Sequence, residues 1–236
     1  MLNTNDYIRY TFRIFLLYFF MKDMKHSWHR VIQTDRIESL ADGIFAFSMT
    51  LLIVNIDIPQ MSAQRAMTDL GPALQNLLPI LSDFVLSFIL LAIFWDIHQR
   101  QFEGIEYIDR RLSWINIFLL LFVVFIPFST ELIATYDKST LAVAVFNANL
   151  LSIGVLLFLT WYYAQKNNLT DPKLTKEELY HFKIKNFIII PVATAALVLG
   201  FFTPAWCTLI YLIIPIIVFL LEKGEKESVE NMATKA

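Results

Sequence analysis

Long apolar runs separated by short charged segments dominate this sequence. Of its 236 residues, 57% are hydrophobic, only 17% are charged, and 21 are phenylalanine. A run of about 20 apolar residues is enough to cross the hydrocarbon core of a bilayer, which is roughly 30 Å thick. The pattern therefore predicts an all-α, polytopic membrane protein with six spans, at residues 38–57, 77–98, 112–133, 140–164, 184–203 and 205–222.

The same runs predict the domain organisation. Residues 1–35 form an N-terminal cytoplasmic or interfacial extension, residues 36–223 form the six-helix transmembrane domain, and residues 224–236 form a cytoplasmic tail. Residues 7–21 contain an apolar core that is too short to span a membrane. Two interpretations of the extension stay open: an amphipathic helix that lies in the membrane interface, or a non-essential segment ahead of a later start.

The basic residues are distributed unequally between the two sides of the predicted spans. Seventeen of the 19 Lys and Arg residues fall on the side that carries both termini, and only Arg65 and Lys138 fall on the other. Cytoplasmic segments of membrane proteins carry an excess of Lys and Arg. We therefore predict a multi-pass protein of the cell membrane with both termini in the cytoplasm.

The first span, in the segment RIESLADGIFAFSMTLLIVNIDIP at residues 36–59, has more polar groups than an anchor needs. Charged residues lie at both of its ends, and residues 43–54 carry no charge. Two hydroxyl side chains, Ser48 and Thr50, lie inside that apolar run. This arrangement predicts a membrane helix with a function beyond spanning.

Polar residues of the first two spans are expected to lie at the same depth. The first span begins with Arg36 and Asp42, and the second ends with Trp95 and His98, so the topology brings both pairs to the cytoplasmic side. An ionisable group in hydrocarbon is costly unless it is paired or hydrated. We predict that these four residues form a structural network. The other interpretation is a belt of interfacial side chains whose charged ends reach the water.

The sequences at these two positions resemble a known family. Arg36, followed six positions later by Asp42 and then by an apolar run that closes in Pro59, resembles the R-x-x-x-F-S-D opening helix of the transmembrane protein 175 family of bacterial and lysosomal potassium-leak channels. The second span, LPILSDFVLSFILLAIFWDIHQRQF, resembles the L-P-x-x-x-x-x-x-x-S-F and W-x-x-H segment of that family. The two motifs together cover about a fifth of the chain.

The resemblance implies a potassium-permeable cation channel, a homotetramer in the lipid bilayer with the first helix of each subunit around the pore. Carried over position by position, it makes Phe47, Leu51 and Val54 apolar rings of a hydrophobic constriction and Thr50 a ring of hydroxyls. By their spacing, residues 47, 51 and 54 also share one helical stripe, with residue 50 beside it. Permeant monovalent cations, chiefly K⁺, are then the only ligands expected, with no cofactor, bound metal or nucleic acid.

Polar residues follow the constriction at the outer end of the first span. Asn55 and Asp57 come directly after the apolar run and before Pro59. A carboxylate near a pore entrance attracts cations. We predict that these two residues form the outer mouth.

The chain departs from the family motif at two places. Leu40 and Ala41 stand where the motif has Phe and Ser, so the hydrogen bonds beside Asp42 must be made differently, with Ser39 as a candidate. Phe47 stands where family members usually have Ile or Leu. Four phenyl rings either seal the pore or tilt aside, and the sequence leaves both possibilities open.

A small secondary transporter is the alternative. Such proteins use broken helices and a polar site near the membrane midplane. Prolines in the fifth and sixth spans offer kinks, and Asn147 and Asn149 in the fourth span offer a site. The other interpretation of these two asparagines is hydrogen bonding between helices.

An enzyme is not predicted. The sequence contains no H-E-x-x-H and no G-x-S-x-G motif, and no pair of aspartates lies at the centre of the spans. Its single cysteine, Cys207, excludes an intramolecular disulfide and a metal site built from several thiolates. We expect neither catalytic residues nor metal ligands.

Overall fold

The computed structural model describes residues 34–54, 56–136, 139–203 and 207–217, and these residues are predominantly helical. Apart from Thr34 and Asp35, the predicted N-terminal extension lies outside the described residues, and so does the predicted tail. The helices are α1 (Thr34–Val54), α2 (Ala63–Asn76), α3 (Leu78–Glu103), α4 (Arg110–Thr135), α5 (Thr140–Lys166) and α6 (Lys176–Gly200), followed by a 3₁₀ helix at Cys207–Leu212.

Four of these helices, α1, α3, α4 and α5, are long and apolar enough to cross a bilayer. They coincide with the first four predicted spans to within a few residues. Two shorter apolar segments, Phe187–Gly200 and Thr208–Ile217, lie where the fifth and sixth spans are predicted. Helix α6 begins well before the predicted span 184–203, because helical backbone continues into the polar sequence that precedes the apolar run.

The segment between the first two predicted spans is helical over most of its length. It contains α2, whose N-cap Ser62 accepts a hydrogen bond from the backbone N–H of Arg65. A serine cap followed by good helix formers favours a helix start at this position. None of the residues of α2 is buried. A break at Leu77 separates α2 from α3, where Pro79 in the first turn supplies no backbone N–H to a continuous helix.

Hydrogen bonds join the connection between α3 and α4 to the connection between α5 and α6. The backbone N–H of Glu106 donates to the carbonyl of Leu169, and that of Asp171 donates to the carbonyl of Gly104. Asp109 caps α4 by accepting from the N–H of Leu112, and its other oxygen accepts from the hydroxyl of Tyr163 on α5 at 2.6 Å. These bonds fix the start of α4 against the end of α5.

Helix α5 lies between α4 and α6 and packs extensively against both. Its buried side chains, among them Phe146 and Leu150, join Phe94 of α3 and Val123 of α4 in one apolar core. Gly154 lies close against α6, because a Cβ atom there would lie 2.7 Å from Cγ2 of Ile189. Small residues at such positions allow membrane helices to pack closely.

Candidate pore-lining helix

Helix α1 packs against α3 and α4 through one side only. Its buried residues are spaced three or four positions apart and therefore share one face; they are Ile37, Ala41, Phe45, Ser48 and Leu52. The opposite face has no partner within the described part of the protomer. Helix α1 thus presents one complete face to whatever surrounds the single chain.

The predicted lining residues lie on or beside that bare face. Phe47 is 59% exposed and Val54 is 72% exposed, and Thr50 between them is exposed as well. Leu51 differs, because it is half-buried at the boundary with the packed face. The structure thus brings three of the four residues to one open surface and places the fourth at its edge.

Thr50 presents an oxygen on this surface. Its hydroxyl donates a hydrogen bond to the carbonyl oxygen of Phe47 at 2.7 Å. Because the hydroxyl proton is used in this bond, the side chain faces its surroundings as an acceptor. An oxygen acceptor is the kind of group that replaces water around a cation in a pore.

Asp42 and Trp95 form a direct contact between α1 and α3. The indole N–H of Trp95 donates to Oδ1 of Asp42 at 2.8 Å. Arg36, which the sequence offered as another partner for Asp42, is exposed and has no ion pair within the described residues. The structure therefore pairs Asp42 with a residue of the second span and not with its neighbour in the same helix.

His98 belongs to a neighbouring but different contact. Its Nε2 atom lies 2.8 Å from Oδ1 of Asn116 on α4, and its ring stacks on Phe102 with a centroid separation of 4.3 Å. The ring of Phe45 on α1 lies 5.7 Å away. Since His98 is almost completely buried, these contacts hold α1, α3 and α4 together.

Asn116 is the site residue that the sequence analysis missed. It is 1% exposed and lies one helical turn after Leu112, directly before the apolar run at residues 117–128. A polar side chain inside a membrane span usually has a polar partner in the protein. The position of Asn116 in a predicted span could therefore have identified it as a residue that needs a polar partner, and His98 in the second span is that partner.

The C-terminal end of α1 opens onto a small cleft. Asp57 is exposed in the irregular segment after α1 and lines a cavity of about 140 Å³ together with Thr130 and Glu131 of α4. Asn55, its predicted companion at the outer mouth, lies outside the described residues. The structure thus places one of the two predicted mouth residues beside α1, with a second carboxylate nearby.

The two asparagines of the transporter alternative hydrogen-bond to neighbouring helical segments. Asn147 accepts a hydrogen bond from the hydroxyl of Tyr211 at 2.6 Å, and its amide donates to the carbonyl of Val143. The amide of Asn149 donates to the hydroxyl of Ser129 at 3.2 Å. Both side chains are buried in contacts between helical segments, which favours the structural interpretation.

Comparison with known proteins finds similarity to proteins that are named as ion channels. Residues 36–127 match the family model described as endosomal/lysosomal potassium channel TMEM175. A potassium channel of Streptomyces collinus is 29% identical over 147 residues, which cover 60% of this chain and 70% of the relative. A potassium channel of Chamaesiphon minutus is 32% identical over 135 residues, 56% of this chain and 66% of the relative.

A solved structure matches the fold over most of its length. The crystal structure of a lysosomal potassium-selective channel TMEM175 homolog from Chamaesiphon minutus aligns with a TM-score of 0.69 and 26% sequence identity. The alignment covers 80% of this chain and 97% of that one. The likeness therefore extends beyond the two motifs to the helical arrangement.

Proposed function

We propose that this chain, which belongs to the TMEM175 family, forms a potassium-permeable cation channel with a hydrophobic constriction made by α1 of each subunit. The relatives named as potassium channels support the class of activity. The observation that carries the constriction is the unequal packing of α1. One face is buried in the protomer, and the other presents Phe47, Thr50 and Val54.

The proposal requires several copies of the chain. One protomer supplies a single α1, and one helix cannot surround a path for ions. Identical subunits arranged with closed rotational symmetry bring equivalent faces of α1 to a common axis. We assign four subunits to this assembly, as the family resemblance implies, with six membrane spans in each.

The residues of the bare face have distinct roles in this proposal. Rings of Phe47, Leu51 and Val54 exclude water when they are close together and so form a hydrophobic gate. The oxygens of Thr50 replace part of the hydration shell of a passing ion. The sequence has no T-V-G-Y-G filter, so we expect modest discrimination between potassium and sodium.

Residues at the two ends of α1 support the pore without lining its narrow part. The contact between Asp42 and Trp95, together with the burial of His98 against Phe45, fixes the rotation of α1 on the protomer. We include Arg36 in this inner network through its position at the start of α1. At the outer mouth, Asp57 attracts cations, with Asn55 beside it in sequence.

The distribution of basic residues supports the location of the channel. We propose the cell membrane, with both termini in the cytoplasm, because 17 of the 19 Lys and Arg residues lie on the side of the termini. In that orientation Asp57 faces outward. The network around Asp42 then lies on the cytoplasmic side.

Ion flux from purified protein in liposomes tests the function. Potassium-loaded vesicles that contain the protein should release potassium down its gradient. A sodium gradient of equal size should give a lower rate of sodium release. Recordings in planar bilayers should then show discrete current steps, which carrier turnover is too slow to produce. Transport that saturates without resolvable steps would favour the secondary transporter over the channel.

A further inference from the structure

A groove of about 270 Å³ runs along the last turns of α5, at the end of the molecule where α1 begins. Its lining residues recur every three or four positions and so form one face of the helix; they are Phe158, Trp161, Tyr162, Gln165 and Lys166. The groove therefore changes along its length from aromatic side chains to an amide and a cation.

The aromatic part of the groove is well defined. The rings of Phe158 and Tyr162 lie nearly parallel, at 12°, with centroids 6.1 Å apart. Phe187 of α6 meets Phe158 edge-on at the same distance. Trp161 is buried, whereas Tyr162 is half exposed. These rings give the groove an apolar wall that is open to the surroundings of the protomer.

The polar end of the groove carries one positive charge. Nζ of Lys166 lies 5.8 Å from the centroid of the Tyr162 ring, a distance typical of a cation held over an aromatic face. Gln165 beside it supplies an amide that can donate hydrogen bonds. No acidic residue is among the described residues that line the groove. The polar end is thus complementary to an anion.

The position of the groove selects the anion. Helix α5 is a membrane-span candidate and ends at Lys166, after which the polar residues Asn167 and Asn168 follow. The groove therefore extends from the hydrocarbon to the level of the headgroups. Aromatic and basic side chains are typical of this boundary. A ligand that fits must combine an apolar chain with an anionic head.

We propose that this groove binds an anionic phospholipid. Its phosphate lies against Lys166 and Gln165, and one acyl chain runs along Phe158 and Tyr162. Lipid is favoured over a second copy of the chain because of the order of the groups along the groove. The cation lies at the headgroup level and the apolar wall lies in the hydrocarbon, which matches the head and the tail of a phospholipid.

Native mass spectrometry of the purified full chain in detergent tests this proposal. The probes are palmitoyl-oleoyl phosphatidylglycerol and the corresponding phosphatidylcholine. Phosphatidylglycerol should bind more tightly, and Lys166→Gln should lower its affinity about fivefold, which corresponds to about 1 kcal/mol for one cation near an anionic headgroup. Lys173→Gln, which removes an exposed lysine from the connection after α5, is the matched control and should leave binding unchanged.

A second variant tests the aromatic wall. Tyr162→Ala should lower the affinity for both lipids, because it removes a ring that contacts the acyl chain, which the two lipids share. Equal losses from Lys166→Gln and Lys173→Gln, equal binding of the two lipids, or an unaffected Tyr162→Ala protein would each overturn the proposal. So would a Lys166→Gln protein whose oligomer weakens while phosphatidylglycerol binding stays constant. Because the readout is lipid binding, this outcome is independent of ion flux.

Discussion

The indole N–H of Trp95 donates to Oδ1 of Asp42 at 2.8 Å, and this bond joins two helices whose contacting residues lie 53 positions apart in the chain. A hydrogen bond to a carboxylate is stronger than one between neutral groups. The bond lies in the first half of α1, between the buried residues Ala41 and Phe45 that pack on the protomer. It therefore limits the rotation of α1 about its own axis.

The first prediction concerns this bond. Asp42→Ala should lower the free energy of unfolding by about 1.5–3 kcal/mol, since it deletes a charged hydrogen-bond acceptor. Thermal unfolding and the fraction of intact oligomer in detergent measure the effect. Asp96→Ala is the control, because Asp96 forms a half-exposed pair with Arg100 one turn away, and such pairs contribute about 0.3–0.5 kcal/mol. A well-assembled Asp42→Ala protein with only its ion preference changed would identify Asp42 as a pore residue instead.

The second prediction concerns the contact between α5 and α6. Gly154→Ala places a Cβ atom 2.7 Å from Ile189, so the Ile189 side chain or the helix backbone must shift. Overpacking of this kind costs about 1–3 kcal/mol. A lower unfolding temperature should result. Gly71→Ala is the matched control, because no atom lies within 4 Å of its added Cβ. Alanine also favours a helix by up to about 1 kcal/mol. Equal stability of the two variants would mean that α5 and α6 are not packed closely at Gly154.

The sequence predicted the membrane class and the first four spans because hydropathy depends only on composition and length. It missed α2. This helix has too few apolar residues to be predicted as a membrane span, and its start depends on the local cap at Ser62. The sequence around Gly154 did not indicate that this residue contacts another helix. Its role depends on the distance to another helix, which no local pattern encodes.

The candidate site was predictable to a similar extent. Helical periodicity put Phe47, Leu51 and Val54 on one stripe of α1 with Thr50 beside it. The structure has Phe47, Thr50 and Val54 exposed together. Periodicity is too coarse to place Leu51, which lies at the edge of the packed face. The choice of Trp95 over Arg36 as the partner of Asp42 depends on how the side chains of two helices are directed, and this is fixed only when the helices pack.

The third prediction tests the role of Asn147. If its bond with Tyr211 is structural, Tyr211→Phe should cost about 0.6 kcal/mol and at most about 1.7 kcal/mol, the range for hydrogen bonds between membrane helices. Potassium flux per intact oligomer should not change. Tyr136→Phe, at an exposed position after α4, controls for loss of a hydroxyl elsewhere. A change in the apparent affinity for the transported ion would indicate that Asn147 belongs to a transport site and is not only structural.

The fourth prediction is topological. A reporter that is active only outside the cytoplasm should be silent when fused after Ala236, because the basic residues lie on the side of the termini. A cytoplasmic reporter at the same position should be active. Insertion of the two reporters near Arg65 should give the reverse pattern. Activity of the external reporter after Ala236 would reverse the proposed orientation.

The last prediction concerns the bare face of α1. If Phe47 lies at the axis, Phe47→Ala removes the bulkiest ring of the constriction, allows water to enter, and should raise potassium flux through an intact oligomer. Thr50→Val preserves the volume of the side chain and deletes its oxygen, so it should lower the preference for potassium over sodium. Flux in liposomes and oligomer stability in detergent, measured for both variants, separate these effects.

Other environments of Phe47 predict different results. A phenyl ring buried in protein costs about 3–5 kcal/mol on truncation to alanine. Truncation of a ring that faces lipid changes the stability little. In neither of these two environments should the truncation raise potassium flux. Phe118→Ala, at a half-exposed position of α4, is the matched control for truncation of a phenylalanine outside α1 and should leave the ratio of potassium to sodium flux unaltered. An intact Phe47→Ala oligomer with unchanged potassium flux would refute the pore assignment. Removal of the largest side chain of the proposed constriction would then have had no effect on ion flux.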